Sequence, residues 1–147
     1  MVCCFFGHRD APESVLAPLE DTIRKLIDSQ GVNRFYVGNQ GRFDRMAIWA
    51  LHRAKQAWPH IEYSVVLAYM PQPGQPSEPG PTLYPDGLET VPLRFAISRR
   101  NRWMVKRSDV VVAYVARSGG GAAQFVDYAR RQGKQIINLA EQGRRQR

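Results

Sequence analysis

The stretch that decides the fold begins with the apolar run Val110-Val111-Val112-Ala113-Tyr114-Val115 and continues through Ser118-Gly119-Gly120-Gly121-Ala122-Ala123. A helical pattern follows from about Gln124. This order predicts a buried strand that passes through a glycine turn directly into a helix. Such a turn leaves backbone N–H groups free to bind a phosphate, and the helix dipole favours negative charge there. Tight strand-to-helix turns also use glycine for purely steric reasons, so the turn alone leaves both interpretations open.

Strands and helices alternate through most of the chain. Apolar runs, several of them rich in β-branched residues, predict strands at 2–6, 34–37, 61–69, 110–115 and 135–139. Apolar residues at helical spacing predict helices over about 12–30, 43–57, 95–105 and 124–133. Strands that are apolar on both faces indicate a parallel sheet covered on both sides. The sequence therefore predicts an α/β fold, a Rossmann-like three-layer sandwich with a parallel sheet of about five strands and helices on both faces.

One segment interrupts this alternation. Residues 71–92 contain seven of the ten prolines and have no periodicity of their own. A stretch of that length is a functional flap or a disordered excursion rather than an ordinary connection. We expect one domain over 1–140, with a Pro-rich loop at 71–92 near the ligand end of the sheet, followed by a basic tail at 141–147.

Composition excludes several classes of protein. No apolar run approaches the roughly 20 residues that span a bilayer, and the N-terminus lacks the basic region of a secretion signal. The only cysteines, Cys3 and Cys4, are adjacent, which rules out a disulfide framework. We therefore expect a cytoplasmic protein with no membrane partner. Both cysteines, like Trp49, Trp58 and Trp103, are expected to serve packing.

Four loops are expected at one edge of the sheet, because ligands of open α/β sheets bind outside the carboxyl ends of the strands. These loops are Gly7-His8-Arg9-Asp10, Gly38-Asn39-Gln40-Gly41 with Asp44 just beyond it, Tyr69-Met70-Pro71, and Ser118 to Ala122. Two of the loops are glycine-rich turns that lead into helices, so two helix N-termini could face the same anion. This convergence predicts a phosphate-bearing ligand.

Several motifs relate the chain to a known family. They are Phe6-Gly7-His8-Arg9, then Gly38, Gly41 and Asp44, then Arg100-Asn101-Arg102-Trp103-Met104-Val105 with Ser108-Asp109, and finally Gly120-Gly121-Ala122, Val126-Asp127-Tyr128-Ala129-Arg130 and Gly133-Lys134-Gln135-Ile136. On these motifs the chain resembles the SLOG superfamily of Rossmann-like domains, most closely its YpsA-like (DUF1273) branch. The resemblance implies a binding or sensing domain for a nucleotide or nucleotide-derived ligand. The expected ligand-binding residues are Gly7, His8, Arg9, Gly38, Asn39, Gly41, Asp44, Arg100, Asn101, Gly119, Gly120, Gly121 and Ala122.

The chain departs from the catalytic motif of the distantly related LOG enzymes. Those enzymes cleave the N-glycosidic bond of nucleoside monophosphates with a PGG-x-GT-x-x-E motif. Aligned on the glycines, the glutamate position holds Phe125 or Val126, and Ala122 replaces the threonine. Neither Phe125 nor Val126 can act as an acid or a base. LOG-like hydrolysis is therefore the alternative hypothesis, and it would need Asp44 or Asp10 as its carboxylate; no catalytic residue is assigned.

Four of the expected site residues have a functional interpretation and a structural one. Arg100 could pair with a phosphate as a planar fork, or it could be a surface arginine or one that braces the adjacent loop, and the resemblance favours the phosphate. Asn101 could contact the ligand or cap a local turn. Asp44 could accept hydrogen bonds from ribose hydroxyls or stabilise its own helix. His8 could be a general base or could hydrogen-bond loop backbone.

The net charge of +8 is consistent with several partners. It suits a phosphorylated small molecule, nucleic acid, or solubility alone. Single-stranded nucleic-acid binding ranks below the nucleotide because the sequence shows no aromatic residues interleaved on a basic face. A homodimer is a further expectation from the resemblance. The spacing of potential ligands indicates no metal site, and the sequence identifies no cofactor.

Overall fold

The computed structural model describes residues 1–78 and 80–141 of the chain. The strands are β1 (Val2–Gly7), β2 (Arg34–Val37), β3 (Glu62–Val66), β4 (Thr82–Leu83), β5 (Val110–Tyr114) and β6 (Gln135–Asn138). The α-helices are α1 (Leu16–Gln30), α2 (Arg42–Ala57), α3 (Ala96–Arg107) and α4 (Gly120–Arg131). Short 3-10 helices cover Glu13–Val15, Leu88–Thr90 and Leu93–Phe95.

The six strands form one sheet in the order β4-β3-β2-β1-β5-β6, and every neighbouring pair is parallel. From β1 the chain moves outward on one side to β4, and then crosses to β5 and β6 on the other side. Helices occupy both faces, because parallel strands need crossover connections. The sheet confirms the predicted α/β, Rossmann-like three-layer architecture.

Side chains of each strand alternate between the two helical layers. In β1, Cys3 and Phe5 pack in the cluster that includes α1 and α2, whereas Cys4 and Phe6 pack in the cluster that includes α3 and α4. Both cysteines are fully buried, as predicted. The packing prediction is wrong for Trp49, which is 45% exposed.

The main differences from the predicted elements lie at their boundaries. The sixth strand, β4, and a 3-10 turn lie inside the segment 71–92, which was expected to be a loop. β4 escapes the pattern because it is a two-residue edge strand between prolines, and edge positions tolerate proline. α4 begins at Gly120 rather than near Gln124, so part of the glycine run belongs to its first turn.

Two further expectations concern the basic tail and membrane-spanning helices. All of the predicted basic tail except its first residue, Glu141, lies outside the described residues. In the ranges 1–78 and 80–141, no helix has the length and apolar character needed to cross a membrane.

Candidate functional site

The strand order reverses between β1 and β5, since these neighbours lead to opposite edges of the sheet. In open α/β sheets such a reversal creates the crevice in which ligands bind, outside the carboxyl ends of the strands. β1 ends at Gly7 and β5 ends at Tyr114, and these two residues are paired in register. The loops that follow them form the centre of the candidate site.

His8 connects these two loops. Its backbone N–H donates to the carbonyl oxygen of Tyr114 at 3.3 Å, and its Nε2 accepts a hydrogen bond from the N–H of Ala116 at 3.0 Å. Burial lowers the pKa of the His8 ring, and the positive charge of Arg117 lowers it further. A ring nitrogen that accepts a hydrogen bond must be unprotonated. These contacts correspond to the backbone-bonding interpretation of His8.

The loop after β1 also packs against the turn that starts α2. Gly41 has a φ of +94°, and a Cβ at this position would lie 2.6 Å from the Cα of Arg9. The N–H of Arg42 donates to the Arg9 carbonyl oxygen at 2.9 Å, and Arg9 Nη2 donates to Gln40 Oε1 at 3.4 Å. Only glycine fits this conformation and this approach without strain. The structure therefore brings Arg9 and the Gly38–Gly41 turn together.

Gly38, just after β2, lies between two buried groups of opposite charge. A Cβ at Gly38 would be 3.0 Å from Arg100 Nη1 and 3.0 Å from Asp44 Oδ2. Arg100, which is 2% exposed, comes from α3, and Asp44, which is 7% exposed, comes from α2. The two helices lie on opposite faces of the sheet. Because Gly38 has no side chain, Arg100 from one face of the sheet and Asp44 from the other can both lie beside it.

Asp44 holds the turn that precedes its own helix. Its Oδ2 accepts a hydrogen bond from the N–H of Gln40 at 2.9 Å. Burial raises the pKa of the Asp44 carboxyl to about 6, although this hydrogen bond and the charges of Arg100 and Arg9 act in the other direction. An acid in the first turn that accepts a backbone N–H before the helix is a variant of the capping box. Its contact with ribose hydroxyls stays a prediction.

Arg100 is held in place by two hydrogen bonds. Its Nη1 donates to the carbonyl oxygen of Val66 at 2.8 Å, and its Nε donates to Asn101 Oδ1 at 2.7 Å. Burial lowers the pKa of the guanidinium, and the negative charge of Asp44 opposes that effect. The bond to Val66 ties α3 to the end of β3, as the bracing interpretation requires, and the bond to Asn101 lies within α3. A phosphate contact stays a prediction.

Packing against α2 requires a glycine at position 7. A Cβ at this position would lie 2.2 Å from Cγ of Phe43, a buried residue in the first turn of α2. Any larger residue would push α2 away from the end of β1. Gly7 was predicted to bind the ligand. In the structure it allows α2, the helix that contains Asp44, to pack closely against the end of β1.

The glycine run at the start of α4 faces open space. Gly119 and Gly120 have φ values of +87° and +86°. Glycine adopts this conformation without steric cost, which explains why both positions hold glycine. Gly121 has no positive φ, and a Cβ at any of the three would meet no heavy atom within 4 Å. Ala122 follows, half-buried, in the first turn of α4. The first backbone N–H groups of α4 therefore have room beside them for an anion.

Asn138, which was not predicted as a site residue, supports the loop after β5. Its Oδ1 accepts a hydrogen bond from the N–H of Val115 at 3.1 Å, and its Nδ2 donates to the Val115 carbonyl oxygen at 3.0 Å. The amide therefore fixes the backbone that leads into the glycine run. The available signal was a polar residue at the carboxyl end of the strand, directly after the apolar Ile136 and Ile137.

A cavity of about 820 Å³ lies beside this centre, at the ends of β3 and β4. Its lining includes Asn39, Tyr69 and Tyr84. Asn39 Nδ2 donates to Glu78 Oε1 at 2.9 Å, so the turn after β2 is tied to the Pro-rich segment. The cavity is not lined by the glycine run of α4. The site thus has two parts, the open start of α4 and this cavity, with Asn39 and Gly38 in the turn between β2 and α2.

The positions that correspond to the catalytic glutamate of the LOG motif lie in the core. Phe125 and Val126 are each 4% exposed, and both pack against the strands from α4. Asp10, the other carboxylate near the glycine run, is exposed and forms an ion pair with Arg117 at 3.0 Å. The α4 turn therefore has no buried acid of its own.

No protein-family model matches the chain, and no curated protein matches it in sequence at a significant level. The resemblance to the SLOG superfamily stays a prediction that rests on the motifs quoted above.

Proposed function

We propose that this protein binds a nucleotide or a nucleotide-derived ligand at the carboxyl ends of the sheet strands, with a phosphate at the start of α4. The observation that carries the proposal is Gly121. Of the described glycines, it alone has neither a positive φ nor a neighbour within 4 Å of its absent Cβ. Glycine inside a helix costs about 1 kcal/mol relative to alanine. A ligand that approaches the backbone closely explains why glycine is retained there.

The surroundings of the α4 turn suit an anion. The N-terminus of a helix offers free N–H groups and a positive dipole end. Arg9, in the neighbouring loop, adds positive charge, whereas Arg117, which precedes the glycine run, shares its charge with Asp10 in an ion pair of 3.0 Å. Arg100 and Asp44 meet at Gly38, between the α4 turn and the cavity, where a ribose would pass in this arrangement.

The cavity suits the part of the ligand that carries no phosphate. Its lining residues, all within the described ranges, include no Lys, Arg or His, although the chain has 21 Lys and Arg residues. They do include the carboxylates of Glu78 and Glu89 and the rings of Tyr69 and Tyr84. Carboxylates accept hydrogen bonds from base N–H groups, and aromatic rings stack on a base. A phosphate in this cavity would be repelled, so the base is the better occupant.

Binding or sensing is the function that we favour over hydrolysis. Cleavage of an N-glycosidic bond needs a positioned acid or base. Phe125 and Val126 cannot supply one, and the buried Asp44 carboxylate already accepts the N–H of Gln40 at 2.9 Å. The residues near the α4 turn are therefore better suited to hold a phosphate than to break a bond.

Calorimetric titration with AMP, ADP, ADP-ribose and NAD tests the proposal, with adenosine as the control that lacks a phosphate. We expect at least one of the four to bind and to raise the unfolding temperature, and we expect AMP to bind about tenfold more tightly than adenosine, a difference of about 1.4 kcal/mol. If none of the four gives heat or a thermal shift, the proposal is wrong. Equal affinities for AMP and adenosine would remove the phosphate site.

A further inference from the structure

A second, basic groove runs along α3, away from the glycine run. It has a volume of about 500 Å³ and separates α3 from residues 85–91, which follow β4. Four cationic side chains of α3 line it, Arg99, Arg102, Lys106 and Arg107, and over residues 1–78 and 80–141 Asp86 is the only carboxylate in its lining. We call this feature the α3 groove.

The positive charges of the α3 groove are not neutralised within the protein. All four cationic residues are exposed, and in the described part of the chain none of them lies within 4.0 Å of a carboxylate oxygen. Several other arginines do form such pairs, among them Arg34 with Glu62 at 2.9 Å. Exposed cations without such a pair also occur elsewhere, among them Arg42 and Arg45, but the α3 groove gathers four of them along one helix.

Helix stability does not explain the arrangement. Lys106 and Arg107 lie in the last turn of α3, where the helix dipole favours cations. Arg99 lies in the first turn, where the dipole disfavours them. Arg102 is three residues from Arg99 and four from Lys106, and like charges at these spacings each cost about 0.2–0.5 kcal/mol. An anionic partner would turn this repulsion into attraction.

Trp103 adds an aromatic surface to the groove. Its ring packs edge-on against Tyr36 with a centroid distance of 5.0 Å, which fixes its orientation. The guanidinium of Arg107 lies 4.1 Å from the Trp103 ring centroid, and Trp103 itself lines the groove. Proteins that bind single strands combine such aromatic or guanidinium planes, on which bases stack, with cations that follow the phosphates. Trp103 therefore places one aromatic ring on this basic face, where no interleaved aromatic residue was expected.

We propose that the α3 groove binds single-stranded nucleic acid, independently of the nucleotide site at the start of α4. Arg99 and Lys106 are seven residues apart, so their Cα atoms are about 10 Å apart along the helix, enough to serve more than one phosphate of a strand. Three of the four cations are arginines, whose planar guanidinium groups match phosphate oxygens better than lysine does. Guanidinium groups also pair well with carboxylates, so the Trp103 ring, which suits a base, is the feature that favours a nucleic-acid strand over an acidic protein.

Fluorescence anisotropy with a labelled oligonucleotide of about 12 nucleotides tests the proposal, at salt concentrations from about 50 to 200 mM. The variant R99Q/R102Q/K106Q removes three charges from the groove. The control R24Q/K25Q/R53Q removes three charges from α1 and α2, on the opposite face. We expect the groove variant to bind at least about tenfold more weakly, while the control keeps most of its affinity. The dependence of the log association constant on log salt should also become less steep in the groove variant, by about 2.

Three outcomes would overturn the proposal. They are no binding by the wild-type protein at low salt, equal losses in the two triple variants, and competition by polyglutamate that equals competition by an unlabelled oligonucleotide. Circular dichroism checks that each variant is folded, and R102Q alone, with an expected intermediate loss, replaces the triple variant if that one unfolds. Because G121A is expected to bind the oligonucleotide normally, failure of the nucleotide site and failure of the groove are distinguishable.

Discussion

Replacing Gly121 with alanine is expected to stabilise the protein and weaken nucleotide binding at the same time. The new methyl group would meet no atom within 4 Å, and the backbone of Gly121 has no positive φ. Such a substitution stabilises a helix by about 0.4–1 kcal/mol, because the unfolded chain loses conformational freedom. In a domain of this size, that corresponds to a rise of roughly 1–4 °C in Tm.

The effect on binding follows from the direction of the new methyl group. Side chains of a helix tilt toward its N-terminus, so the Cβ that G121A introduces would point toward the expected phosphate. We expect the affinity for AMP to fall about tenfold, or about 1.4 kcal/mol. Urea unfolding and calorimetry measure the two effects in the same preparation. Higher stability with unchanged affinity would refute the inference that a ligand requires this glycine.

Gly133→Ala provides the matched control at the other end of α4. Gly133 also has open space beside it, but its φ is +77°. A side chain in this conformation costs about 1–2 kcal/mol, so the control is expected to lose stability and to bind AMP normally. Stabilisation by Gly133→Ala would contradict the conformational reasoning. Weaker AMP binding by Gly133→Ala would show that the loss of affinity is not specific to the N-terminus of α4.

Three further predictions concern the two charged groups around Gly38. Gly38→Ala is expected to lower the free energy of unfolding by about 1–3 kcal/mol in urea denaturation, because its Cβ would lie 3.0 Å from both Arg100 and Asp44; an unchanged midpoint would contradict this packing. Arg100→Ala is expected to cost about 3–5 kcal/mol, because it leaves a cavity, removes the donor to the Val66 carbonyl oxygen and takes away a positive charge near the buried Asp44, whereas the exposed Arg99→Ala should change stability by less than about 0.5 kcal/mol. The pKa of Asp44 rises on folding from 3.8 to about 6, so the native state holds the extra proton between these values and stability falls as pH rises through this window. Relative to Asp44→Asn, the wild type should therefore lose up to about 3 kcal/mol between pH 4 and 7, and a difference that is constant with pH would refute the assignment.

The sheet was predictable because its strands are continuous apolar runs. The run Val110–Val115 predicts a strand buried on both faces, and Val110–Tyr114 is that strand. The same logic predicts that the adjacent Cys3 and Cys4 are both buried, since alternate residues of such a strand meet different helical layers. Local pattern suffices when both faces of a strand are covered.

Other features depend on contacts that no local pattern reveals. The strand Thr82–Leu83 exists because Val65 and Val66 pair with it, and the flanking prolines hide it. The two-residue length leaves no periodicity to detect. Trp49 is aromatic and lies on a helix, yet it faces solvent, where the guanidinium of Arg53 covers its ring at 4.7 Å. Composition alone therefore predicts the wrong side of α2 for this residue.

The candidate site shows the same division. The glycine turns and the presence of Arg100 and Asp44 near them were predicted from motifs. Two other features follow only from the folded arrangement of distant segments. Arg100 and Asp44 both lie beside Gly38, and the Asn138 amide forms two hydrogen bonds with the backbone of Val115. The basic groove along α3 likewise needed the structure, because residues 85–91 form its second wall.

The central claim, a nucleotide phosphate at the start of α4, is tested most directly by an amide NMR titration of the isotope-labelled protein with AMP. We expect the amide signals of Gly119, Gly120 and Gly121 to shift and to saturate with the dissociation constant that calorimetry gives. The amides of Gly31 and Gly133, at the carboxyl ends of α1 and α4, should stay in place. Saturation by AMP with these three glycine signals unmoved would contradict the account.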